Sequence, residues 1–235
     1  MSAINWDFVD KVIFINLKTR KDRRVRIMRQ LKSLGVSKNK IIHFDAVEYN
    51  PGYIGCTLSH IAVLEMAQEK NWEKILVLED DFAFNEEKEN YENLNRYFQS
   101  LSKISWNVAF LAANYHSVTP FKSVDYIVRV NMAWCACAYI VNKSYYAKLI
   151  HNYRSGLLVL LQGGGKQQYA LDVNWHSCMQ QDLWLGIFPN SGYQIQGKSD
   201  IEQQNVDYRH LFNKPLHAIV PPVKFMPVIS DPIDR

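Results

Sequence analysis

Three short apolar runs end abruptly in polar residues, and these endings constrain the fold of the 235-residue chain more than any other feature. Val12-Ile13-Phe14-Ile15 meets Asn16-Leu17-Lys18, Ile41-Ile42-His43-Phe44 meets Asp45, and Ile75-Leu76-Val77-Leu78 meets Glu79-Asp80-Asp81. Unbroken runs of this kind read as strands buried on both faces, as in a parallel sheet. Helical spacing lies between them. Ile27, Met28, Leu31 and Leu34 recur on one face before a terminating Gly35. Thr57 is placed to cap a helix carrying Ala62, Val63, Met66 and Ala67, and Tyr91, Leu94, Phe98 and Leu101 mark another. The alternation predicts an α/β fold with an open, largely parallel, Rossmann-type sheet flanked by helices over roughly the first 110 residues.

The second half is less regular. Residues 124–130 and 135–141 read as two strands and 183–188 as a third, with helical patterns at 144–151 and 172–180. The stretch 157–165, apolar and then glycine-rich, reads as a mobile loop that orders over a ligand. Five of the eight prolines fall at or after Pro215. The expectation is a single domain over residues 1–214, followed by a proline-rich arm or linker over 215–235.

Hydrophobic residues make up 48% and charged residues 21% of the chain, ordinary globular usage that excludes disordered, collagen-like and coiled-coil classes. No apolar run approaches the ~18–20 residues of a membrane span. The N-terminus lacks a cationic segment followed by an apolar core, so a cytoplasmic, reducing setting is expected. Peripheral contact with a membrane and the oligomeric state stay open. Four cysteines are too few for a disulfide scaffold and lack paired zinc spacing. The net charge of +4 is uneven: the first forty residues carry eleven Lys and Arg against Asp7, Asp10 and Asp22. A solvated helix face, a phosphate-bearing ligand and a nucleic acid would each suit the excess at residues 20–29.

The strongest chemical signal is the acidic triplet. In open α/β sheets ligands bind beyond the carboxyl ends of strands. Three adjacent carboxylates there either take a hard divalent cation, Mg²⁺ or Mn²⁺, or form an acidic turn ahead of the next helix. Gly163-Gly164-Gly165-Lys166 lacks the spacing of a phosphate-binding loop. Cys135 and Cys137 read as small core residues, His60 alone as structural, and Asp172 by default as a helix cap.

Taken together, several of these segments resemble glycosyltransferase family 25. Ile15-Asn16-Leu17-Lys18-Thr19-Arg20-Lys21-Asp22-Arg23-Arg24 is similar to the family's opening motif. Gly55-Cys56-Thr57-Leu58-Ser59-His60 and Leu76-Val77-Leu78-Glu79-Asp80-Asp81 are similar to its core, at the family's separation. The segments 138–141, 171–175 and 196–201 resemble later blocks, so the likeness covers about residues 11–202. It implies a GT-A-type fold, a UDP-hexose donor (typically UDP-galactose), Mn²⁺ or Mg²⁺, and inversion at the anomeric carbon. It implies that Asn16 and Leu17 meet the uracil, with Arg20, Arg23 or Arg24 near the uridine or diphosphate. Asp45 and Ala46 would line the base pocket, Ser59 and His60 the nucleotide side. Asp81 would hold the metal, with Glu79 and Asp80 on its waters or the ribose. Asp172 would be the general base, and Gln196, Ser199 and Asp200 would close the donor pocket. The acceptor would be a terminal sugar of lipooligosaccharide or a hydroxylysine of a collagen-like protein. Two rivals remain: a non-catalytic module of the same fold that binds nucleotide or glycan, which the intact acidic triplet together with Asp172 disfavours, and a nucleic-acid binder working through Arg20–Arg29.

Overall fold

The computed structural model describes residues 3–198 and 204–221. The chain lays down β1 (Lys11–Asn16), α1 (Lys21–Ser33), β2 (Ile41–Asp45), α2 (Gly52–Glu69), β3 (Lys74–Glu79), β4 (Phe82–Phe84) and α3 (Lys88–Leu101). The long strands β5 (Val108–Pro120) and β6 (Ile127–Asn142) follow, then α4 (Tyr146–Leu161) and the short helices α5 (Lys166–Tyr169), α6 (Leu171–Asn174) and α7 (His176–Gln181). It closes with β7 (Trp184–Ile187), β8 (Gly192–Gln194), β9 (Gly197–Lys198), β10 (Asn205–Val206), α8 (Arg209–Phe212) and α9 (Leu216–Ile219).

The six-stranded central sheet has the order β2-β1-β3-β6-β5-β7. Five strands run the same way; β6 alone runs against its neighbours β3, β5 and β7. The sheet is thus mostly parallel and covered on both faces, as the apolar runs imply. Ile13, Ile75 and Val77 bury against α2 and α4 through Leu64, Leu149 and Tyr153. Their neighbours Val12, Phe14, Leu76 and Leu78 bury against α1 and α3 through Ile27, Leu31, Leu94 and Phe98. Alternate side chains of one strand therefore serve two cores, which forbids polar residues until the strand ends.

Several expectations are corrected. Helix α2 begins at Gly52 behind Pro51, so Thr57 lies inside it and its hydroxyl donates to the carbonyl of Tyr53. Residues 127–130 and 135–141 are parts of the single strand β6, which 124–126 precede, and β5 is an added strand. Residues 172–180 are split between α6 and α7. The apolar part of 157–165 is the last turns of α4, not a loop. Gly163, at φ +91°, ends that helix: its N–H reaches the carbonyl of Leu160 and that of Gly164 reaches Val159. The same closure occurs at Gly35, φ +78°, after α1. A left-handed residue at this position satisfies the terminal carbonyls, and glycine adopts it without steric cost. Within the expected arm, residues 216–219 form α9 and bury Ile219; residues 222–235 lie outside the described residues. Among the described residues no helix is long and apolar enough to cross a membrane.

Candidate active site

The carboxyl ends of β1 and β3 open into a cavity of about 660 Å³. Leu17, Ala46 and Val47 line it from the loops after β1 and β2, and Cys56, Ser59 and His60 from α2. Residues 79–81 form its floor. Asn114, Cys135 and Ala136 come from β5 and β6, Lys166 and Asp172 from α5 and α6, and Gln194 from β8. Glycine at position 55 lets α2 approach the 46–49 loop, since a Cβ there would collide with the carbonyl of Val47. Ser59 ties the same contact, donating to the Gly55 carbonyl at 2.7 Å and accepting from the Val47 N–H at 2.8 Å.

The three acidic residues have different surroundings. Asp80 is buried, and its carboxylate accepts from Asn16 Nδ2 at 2.6 Å and Arg23 Nη1 at 2.9 Å. Burial pushes its pKa up, against the downward pull of Asn16 and Arg23. Arg23 Nη1 also reaches Asp81 Oδ2 at 3.0 Å. Burial disfavours the Arg23 charge, but Asp81 and Asp80 outweigh it and hold that guanidinium above its usual range. Asp81 is pushed up to about 7, first by burial and then by the charge of Glu79. Gln194 links the last two, donating to Glu79 Oε2 at 3.0 Å and to Asp81 Oδ1 at 3.4 Å. The short pairing of β4 with β8, in which Phe82 faces Gln194, brings that amide to the triplet.

Asp172 is not a helix cap. It sits in the first turn of the four-residue α6, whose N-cap is Ala170, and its Oδ2 accepts the backbone N–H of Cys135 at 3.0 Å. Cys135 holds φ +70° inside β6. There the ladder to β5 passes from Asn114↔Trp134 to Ala112↔Ala138, so three residues of β6 oppose one of β5. Such a bulge turns a backbone donor out of the ladder. Burial, then the charge of Glu79, raises the Asp172 pKa against the pull of the Cys135 N–H.

Of the expected site residues, Leu17, Arg23, Ala46, Ser59, His60, Glu79, Asp80, Asp81 and Asp172 line this one cavity. Asn16 stands behind it, holding Asp80. Arg20 faces Asp22, Arg24 is exposed on α1 outside the lining, and Asp45 faces Lys18 and His43. Gln196 is exposed outside the lining, where Gln194 takes the inward position. Ser199 and Asp200 lie outside the described residues. Sequence reasoning missed Gln194, Lys166 and Asn114, and passed over Cys56 and Cys135 as ligand-facing residues.

Residues 50–158 match the family described as glycosyltransferase family 25 (LPS biosynthesis protein). Human procollagen galactosyltransferase 2 is 27% identical over 60% of this chain and 27% of its own length. The procollagen lysyl hydroxylase and glycosyltransferase of Acanthamoeba polyphaga mimivirus is 28% identical over 64% of this chain and 20% of its own. The chain thus spans about a quarter or less of these relatives. A solved Drosophila β-1,4-galactosyltransferase 7 variant, in complex with manganese, UDP-Gal and xylobiose, aligns over 88% of this chain and 80% of that one, at 12% identity and a TM-score of 0.43. By the family match over residues 50–158 and these sequence relatives, the chain is similar to glycosyltransferase family 25.

Proposed function

We propose that this chain transfers a hexosyl group, galactosyl first among them, from a UDP-sugar to an acceptor hydroxyl with inversion at the anomeric carbon. The observation that carries this reading is one cavity lined by a carboxylate triplet at a strand end and, from helix α6, by the half-buried Asp172. The names of the sequence relatives support galactose. The collagen and lipopolysaccharide names point to the two acceptor classes already given, hydroxylysine and a terminal sugar. The catalytic domain is taken as residues 1–214, in a reducing setting that suits four free cysteines.

Inversion requires one in-line displacement. The acceptor oxygen bonds to the anomeric carbon as the bond to the UDP oxygen breaks, and the hydroxyl proton passes to Asp172. The Cys135 N–H fixes one oxygen of that carboxylate, leaving the lone pairs of the other for the proton. Burial makes Asp172 a stronger base than an exposed carboxylate. The apolar wall of Leu17, Ala46 and Val47 suits a nucleobase, and Lys166 supplies a cation on the cavity side for the diphosphate.

Residues 79–81 fit a hard divalent cation, because burial, and then the neighbouring charge of Glu79, pushes Asp81 up to about 7, a cost that a bound cation removes. Asp81 would hold Mn²⁺ or Mg²⁺, with Glu79 and Asp80 on its waters or the ribose. The cation, when bound, supplies neutralisation of the charge that develops on the leaving diphosphate. The test is UDP release with Mn²⁺ from a panel of UDP-sugars, against a hydroxylysine peptide and a lactose-terminated oligosaccharide. Acceptor-dependent release supports transfer. UDP binding without release under any pairing would make the chain a binding module.

A further inference from the structure

Helix α2 presents Cys56 and His60 one turn apart, on the same face and into the same cavity. Glu79 meets both. Its Oε1 lies 3.6 Å from His60 Nε2 and 3.8 Å from Cys56 Sγ, and the three ligand atoms all fall within 4.8 Å of one another. His60 is 1% exposed, and its Nε2 has no hydrogen-bond partner. Its other nitrogen is fixed at 2.7 Å from the Tyr139 hydroxyl, with the two rings stacked at 12°. An imidazole oriented through one nitrogen, its second nitrogen buried and unpaired beside a thiol and a carboxylate, is arranged as a metal ligand with its outer hydrogen bond in place.

We propose that Cys56, His60 and Glu79 bind a thiophilic divalent cation of the Zn²⁺ class, beside the carboxylate site of Asp81 and sharing Glu79 with it. Bonds of ~2.0–2.3 Å at tetrahedral angles put ligand atoms roughly 3.4–3.6 Å apart. The two measured edges to Glu79 stand within a few tenths of an ångström of that spacing. One sulfur, one imidazole and one carboxylate suit Zn²⁺ over Mg²⁺ or Mn²⁺, which prefer oxygen alone. Three protein ligands leave the fourth position to water from the cavity. Binding releases the Cys56 proton to solvent as the sulfur–metal bond forms. Without metal, burial and the charge of Glu79 hold Cys56 as a neutral thiol. The inference does not rest on the transfer reaction, since it concerns binding to the chain alone.

The test titrates the intact chain with Co²⁺ as a spectroscopic stand-in, then measures Zn²⁺ affinity by competition with a chromophoric chelator. Wild type should develop a sulfur-to-cobalt charge-transfer absorption in the near ultraviolet. Cys56→Ser should abolish that absorption and weaken Zn²⁺ by at least about tenfold. Glu79→Gln should also weaken Zn²⁺, while Cys135→Ser, which removes the other cavity-lining thiol, should leave the absorption intact. Cys56→Ser is nearly isosteric, and a thermal melt matching wild type shows that it folds; if it melts early, Cys56→Ala replaces it. Absence of the absorption in wild type, its survival without the Cys56 thiol, or its loss in Cys135→Ser would overturn the proposal.

Discussion

The backbone N–H of Cys135 points at Asp172, 37 residues further along the chain, and reaches its Oδ2 at 3.0 Å from a residue held at φ +70°. A side chain in the left-handed region is disfavoured by its own Cβ, by ~1–2 kcal/mol for ordinary residues. Cys135→Gly removes that conflict and keeps the N–H, whereas a β-branched valine enlarges it. Cys135→Val should therefore unfold more easily than Cys135→Gly by ~1–2 kcal/mol. Urea denaturation of the two variants measures the difference; equal midpoints would remove the strain.

Asp172→Asn keeps an oxygen for the Cys135 N–H but has no basicity. Its melting temperature and UDP affinity should match wild type, while transfer falls by ~10²-fold or more. In wild type the same base should make transfer rise with pH through a carboxyl value above the ordinary one, as burial requires. A loss below about threefold would return Asp172 to a purely structural role.

Asp81 links stability to pH. Its folded value of about 7 lies above the ordinary 3.8, so the folded chain keeps a proton that the unfolded chain releases. That stabilisation is complete below the unfolded value and is lost as pH rises through about 7. Asp81→Asn, a permanent neutral mimic, should melt above wild type near about pH 8 and approach it progressively as pH falls toward the unfolded value of 3.8. Mn²⁺ should raise the melting point of wild type and not that of the variant. Thermal melts across this range check both outcomes.

Arg23 and Arg24 should separate cleanly. Arg23→Gln strands two carboxylates at the cavity floor and should cost about 3 kcal/mol, the scale of a broken buried ion pair. Arg24→Gln, at an exposed position, should stay within about 0.5 kcal/mol of wild type. Denaturant titrations of the two variants give the comparison.

The first three strands were legible because each serves two cores and admits no polar residue before its end. Helices α1 and α3 were legible by period. The start of α2 was not: Thr57 has the chemistry of a cap, but Pro51 begins the helix six residues earlier and turns Thr57 inward. Strand β6 was read as two because Asn131 breaks the apolar run before 135–141; the bulge at 135–137 lies within the second piece, and a positive φ on a cysteine leaves no mark in sequence. The acidic triplet announced a site, but not which carboxylate an arginine would occupy. Arg23 and Arg24 are adjacent in sequence, and only their rotation about α1 sends one inward and the other to solvent. Gln194 lay beyond reach because a three-residue pairing brings it to residues more than a hundred positions away.

Strand β6 has a consequence for how this site can be altered. Leu78, which precedes the triplet, pairs with Ala138, and Cys135 lies three residues earlier on the same strand. Those three residues span at most ~11 Å of chain, so the spacing between the carboxylate triplet and the anchor of Asp172 is written into one covalent segment. Helices α5 to α7 can be rebuilt for a different acceptor while that spacing stays constant. A single insertion between positions 135 and 138 would instead change the distance between the carboxylate triplet and Asp172 without touching a residue of either.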